Sequence, residues 1–87
     1  MENEFLYGNC KKVDLHGLTK EEARAEILYQ LESVDNIDGI IFIHGYHGGR
    51  VLKELVRNEI VHYRIAEKVF INASATAFRL KKVWVFF

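Results

Sequence analysis

Two hydrophobic periods alternate along the chain and divide it into six elements. In Lys12–His16, Val13 and Leu15 face one way and Asp14 and His16 the other, the two-residue repeat of a strand. Thr19 then stands as a helix N-cap, and Glu22, three residues on, completes a capping box. Glu21 and Glu22 also suit the positive end of the helix dipole. Behind them Ala23, Ile27, Leu28 and Leu31 recur at spacings of three and four and form one apolar face. Val34 to Asp38 breaks this rhythm. Gly39 to His44 is a near-continuous apolar run, as in a parallel strand buried on both faces. Gly45 to Gly49 reads as a loop, and Arg50 to His62 as a second helix with Val51, Leu52, Leu55, Val56 and Ile60 as its stripe. Two further strands, Glu67 to Ile71 and Thr76 to Phe86, are joined by a turn over Asn72 to Ala75.

The order is therefore β-α-β-α-β-β. A strand-helix-strand unit demands a parallel pair with a right-handed crossover. The short last turn returns the final strand antiparallel. Two helices suffice to cover one face of a four-stranded mixed sheet, which predicts an α/β chain of the two-layer α+β sandwich type with its other face partly open. Residues 1–11 read as an N-terminal arm and 12–87 as the domain. The C-terminal Val83-Trp84-Val85-Phe86-Phe87 is apolar on both faces. Such a strand needs a cover, either the arm with its Phe5 and Tyr7 or a surface of a second copy or protein partner.

Composition narrows the class without choosing a function. With 87 residues there is room for one core only. A hydrophobic share of 49% excludes a disordered chain. Cys10 is the sole cysteine, so no internal disulfide forms, and a reducing compartment, the cytoplasm, is expected. No leader pattern and no membrane-length apolar stretch is present. Twelve basic and twelve acidic residues cancel, so any affinity for nucleic acid must come from how the charges are placed.

The placement is suggestive at one edge of the sheet. Asp14 and His16 sit two apart at the end of the first strand, and His44 ends the neighbouring parallel strand at the same edge. Open α/β sheets bind ligands there. Histidine gives and takes protons near neutral pH, and a carboxylate orients it. These are the parts for phosphodiester cleavage by the RNA 2′-hydroxyl, with no cofactor required. The plain alternative has Asp14 bonding nearby backbone amides. The loop Gly45-Tyr46-His47-Gly48-Gly49 feeds a helix start that suits phosphate, or is simply a tight turn. Arg50, Lys53 and Arg57, at spacings of three and four, predict a basic face beginning at that loop, unless they are only a solvated surface. Arg79, Lys81 and Lys82 form a vaguer basic group, and Lys11 and Lys12 extend the site. Tyr46 is placed to stack on a base. A divalent metal held by Asp14, His16, His44 and His47 is a further alternative, although the spacing matches no closed zinc pattern. For nucleophilic catalysis by Cys10 or Ser74 the sequence displays no activating arrangement.

Val13-Asp14-Leu15-His16-Gly17-Leu18-Thr19, followed by Glu21-Glu22-Ala23, resembles the opening signature of Smr (small MutS-related) domains, Leu-Asp-Leu-His-Gly before an acidic helix start. The strand Ile40 to Gly45, ending in His-Gly, resembles the family's second signature. Ala75-Thr76-Ala77-Phe78-Arg79-Leu80-Lys81 resembles its small-Thr-x-x-Arg-Leu tail. His47 departs from the family's usual glycine two positions after His-Gly, and the paired glycines come later, at Gly48 and Gly49. The resemblance implies a fold like the C-terminal domain of bacterial initiation factor three, and activity in DNA nicking or RNA cleavage. Asp14, His16, His44 and Gly45 are the residues it implicates. The expectation is an endonuclease acting on RNA or DNA. The rivals are a non-catalytic nucleic-acid-binding module and a protein-interaction module working through the C-terminal strand.

Overall fold

Val13, Ile40, Phe42, Phe78 and Leu80 project from one face of a four-stranded sheet and form a single core with residues of both helices. The computed structural model describes residues 9–34, 36–45 and 50–81. The strands are β1 (Cys10–Asp14), β2 (Gly39–Ile43), β3 (Ile65–Asn72) and β4 (Ala75–Leu80), in the order β1-β2-β4-β3. β1 and β2 are parallel, with Val13 opposite Phe42 and Asp14 opposite Ile43. β4 runs antiparallel to both β2 and β3. The two-layer α+β arrangement expected from the sequence is the one observed.

Helix α1 (Lys20–Ser33) starts at the capping box: the Glu22 amide donates to Thr19 Oγ1 at 3.1 Å, and the Thr19 amide donates to Glu22 Oε1 at 3.0 Å. At its other end Arg64 donates to the carbonyls of Leu31 and Val34, satisfying groups that a helix C-terminus leaves open. Ala23, Ile27 and Leu31 are fully buried against the sheet. Gln30 joins them, and Leu28, expected in the stripe, lies at its exposed margin. Phe42 and Phe78 meet edge to face at 5.0 Å between centroids, a contact worth about 0.5–1.5 kcal/mol beyond the burial of the rings.

The second helix departs from its expected form. Helix α2 (Arg50–Glu54) passes into a π-helical turn over Leu55–Glu59, closed by the Ile60 amide on the Leu55 carbonyl at 3.0 Å. It ends there, three residues short of His62. The cause lies on β3: the Lys68 ammonium takes the carbonyls of Ile60 and Arg57, while the Ile60 side chain turns into the core. Leu52, Leu55 and Val56 are buried as expected, but Val51 is exposed.

Strand limits shift as well. β1 starts at Cys10 and ends at Asp14, so His16 follows the strand instead of sharing it. β3 is longer at both ends than expected, and β4 starts one residue earlier. The expected continuation of β4 to Phe86, the cover for Val83 to Phe87, and the arm residues Phe5, Leu6 and Tyr7 lie outside the described residues. No helix among the described residues is long and apolar enough to cross a membrane.

Candidate functional site

Three connections meet at one edge of the sheet. The Leu15 amide donates to the Ile43 carbonyl at 2.7 Å, carrying the β1–β2 pairing one step past Asp14. The amides of His44 and Gly45 both donate to the Ser74 carbonyl, at 2.9 and 3.2 Å, which brings in the β3–β4 turn. Asn72 shapes that turn by accepting the Ser74 amide on its side chain at 2.8 Å.

His16 sits in the turn from Leu15 to Leu18, closed by the Leu18 amide on the Leu15 carbonyl. Gly17 occupies its third position with φ +88°, a conformation that favours glycine. Gly45 also has φ +88°, and a Cβ there would come within 3.2 Å of His16 Cβ. The second glycine therefore sets how closely the β2 loop approaches the histidine.

The turn aims the imidazole back at Asp14. His16 Nδ1 lies 2.7 Å from Asp14 Oδ1, and the His16 amide donates to the same oxygen at 3.0 Å. The two hydrogen bonds, the one from the ring first, hold the Asp14 carboxyl below the usual carboxylate range. An ionised Asp14 accepts the Nδ1 proton and leaves Nε2 as the basic atom of the neutral ring. Both side chains are exposed, at 69% for His16 and 55% for Asp14, so a large substrate reaches them directly.

His44 is placed differently from the sequence expectation. It is 1% exposed, on the helix side of the sheet, with Nε2 3.0 Å from Thr76 Oγ1 and Nδ1 3.3 Å from the Gly45 carbonyl. Arg57 Nε donates to the same Thr76 oxygen at 2.6 Å, and Arg57 Nη2 donates to the Asn72 carbonyl at 2.7 Å. Since Nδ1 faces a carbonyl, it carries the proton; Nε2 then accepts the threonine hydroxyl. Burial first, then the positive charges of Arg57 and Lys53, depress the His44 pKa and keep the ring neutral. His44 thus anchors the loop from inside.

The basic residues do not form the single face expected of them. Arg57 is drawn into the Thr76 network, its guanidinium stacked 4.1 Å over the Phe70 ring. Arg50 lines a shallow groove with Lys20, Val51, Glu54 and Glu59. Lys53 lies close enough to act on His44. Lys11, Lys12 and Lys81 are exposed, and Arg79 is paired with Glu67. Tyr46, His47, Gly48, Gly49 and Lys82 lie outside the described residues. No group of three or more metal-binding side chains is assembled among the described residues, which do not include His47. Lys68 and Phe70 were given no role from the sequence, and Thr76 entered only through the tail resemblance; the alternation of β4, which puts Thr76 on the side of Phe78, was the available signal for its inward position.

No family model and no curated protein matches the sequence. Among solved structures, the crystal structure of the Smr domain of Thermus thermophilus MutS2 superimposes with a TM-score of 0.67. The match covers 83% of this chain and 99% of that one, at 24% identity. The chain has the fold of an Smr domain. In this Smr-like frame the likeness is one of architecture, and the Asp14–His16 pair occupies the edge formed by the β1–α1, β2–α2 and β3–β4 connections.

Proposed function

We propose that this Smr-like domain acts on nucleic acid as an endonuclease, with His16 as the acid/base and Asp14 as its orienting partner. The observation that carries the reading is the exposed 2.7 Å contact between Asp14 and His16 beside Gly45. It supplies a fixed tautomer and a reachable Nε2. The Smr-type fold, and the resemblance of Val13 to Thr19 to the family's opening signature, support nucleic acid as the partner.

On RNA, His16 Nε2 takes the proton of the 2′-hydroxyl as that oxygen attacks the adjacent phosphorus. The bond from phosphorus to the 5′-oxygen breaks, the leaving oxygen takes a proton from solvent water, and a 2′,3′-cyclic phosphate remains. On DNA, water replaces the 2′-hydroxyl as nucleophile and the product is a nick. Arg50 and Lys53 hold the phosphate backbone. His44 serves as a positioning residue that fixes Gly45 against His16. In this reading Tyr46, His47, Gly48 and Gly49 contribute to binding the phosphate backbone.

The test is a substrate panel of labelled single-stranded RNA, single-stranded DNA and supercoiled circular DNA, each with and without EDTA, with analysis of the product ends. Cleavage of RNA to cyclic-phosphate ends in EDTA, lost in His16→Ala, supports the proposal. Salt-sensitive binding without cleavage would replace it with a binding module.

A further inference from the structure

Phe70 is an aromatic side chain in the wrong place for a core residue. It lies on β3, an edge strand of the sheet, and is 64% exposed. Its register partner is Thr76, so it projects toward the helix side, at the end of the sheet where His44 and Arg57 meet that threonine. The Arg57 guanidinium covers one side of the ring at 4.1 Å, and the exposure leaves the other side to solvent. Arg57, Lys68, Phe70 and Thr76 line a shallow cleft of about 210 Å³. Two of its four lining residues are cationic and none is acidic.

The guanidinium is not free to swing. It is tied to Thr76 Oγ1 and to the carbonyl of Asn72, and Lys68 is tied to the carbonyls of Ile60 and Arg57. The stack is therefore pre-organised, a fixed aromatic face backed by fixed positive charge. A rigid π surface with a cation behind it fits a ligand that is flat and polyanionic.

We infer that Phe70, backed by Arg57, is a stacking platform for an unpaired base of single-stranded nucleic acid. The inference rests on the proposed nucleic-acid function and narrows its substrate. A base inside a duplex has no free face to offer, whereas a single strand stacks on aromatics with little regard to sequence. Phe70 projects on the helix side of the sheet and Asp14 from its other face, three strands away, so the platform is a contact for the strand separate from the Asp14–His16 pair.

The experiment compares binding of fluorescein-labelled oligouridylate and of a duplex RNA of the same length, by anisotropy, to the full chain and two variants. Phe70→Leu keeps apolar bulk under Arg57 but removes the ring face. Phe70→Trp keeps and enlarges that face. Phe70→Leu should weaken single-strand binding roughly 5- to 100-fold and leave duplex binding unchanged. Phe70→Trp should retain single-strand affinity, with its added indole emission quenched by the oligonucleotide relative to wild type. Equal affinity of Phe70→Leu and wild type for the single strand would overturn the platform and leave the nuclease reading standing. So would an equal loss on both ligands. A wild-type chain that binds neither RNA would overturn the platform and, with it, RNA as the substrate of the proposed nuclease.

Discussion

A single carboxylate oxygen, Asp14 Oδ1, receives both the backbone amide of His16 at 3.0 Å and its ring Nδ1 at 2.7 Å. The amide bond fixes where the turn begins, and the ring bond fixes how the imidazole stands. Asp14→Asn tests this relationship. An amide group at this position loses the charge and offers a donor to Nδ1, which favours the wrong tautomer. Under the proposed function, the single-turnover RNA cleavage rate should fall about 10²-fold or more. Unfolding by urea should shift little, since both groups are exposed.

Titration of His44 has a definite sign. Above its ordinary value of ~6.5 the ring is neutral in the folded and unfolded chain alike. Below that, the unfolded chain takes up a proton that burial and the nearby cations deny to the folded one. Stability should therefore decline as pH falls from about 6.5 toward the depressed folded value. Urea denaturation over this window, compared with His44→Asn, isolates the contribution: the variant should show a shallower slope. Long-range nitrogen–proton spectra should find His44 as the Nδ1–H tautomer.

Thr76 joins His44 to Arg57 through one hydroxyl. Thr76→Val keeps the shape and removes both hydrogen bonds, leaving a guanidinium donor and a buried ring nitrogen unpaired. The expected cost is about 1–3 kcal/mol, read as a lower urea midpoint, and Thr76→Ser should recover most of it.

Two glycines share φ +88° but differ in their surroundings. A Cβ on Gly17 meets nothing within 4 Å, whereas one on Gly45 meets His16 Cβ at 3.2 Å. Alanine at either site should cost about 1–2 kcal/mol for the left-handed backbone. Only Gly45→Ala should also displace the His16 ring, visible as a change in its imidazole proton shifts.

Much of this architecture was legible because it rests on periodicity. The alternation at Val13 and Leu15, the capping box at Thr19 and Glu22, and the apolar run Ile40 to Ile43 each have a local cause, and each stands in the fold. The pairing of Asp14 with His16 was legible from their spacing, although a turn and not the strand brings them together. What escaped depends on contacts distant in sequence. Lys68 stops the second helix eight residues upstream by taking its last carbonyls. Arg57 looked like a surface cation until Thr76, nineteen residues away, supplied its partner. The burial of His44 and its bond to Thr76 were not legible, because a sequence does not display which side chains close over a strand end.

The most direct test of the central claim is the single-turnover rate of RNA cleavage in EDTA by wild type and His16→Ala, purified identically. With His16 as the acid/base, the rate should fall about 10²- to 10⁴-fold while binding of the RNA persists. Cleavage at the wild-type rate by His16→Ala would contradict the assignment and remove the Asp14–His16 pair from the chemistry.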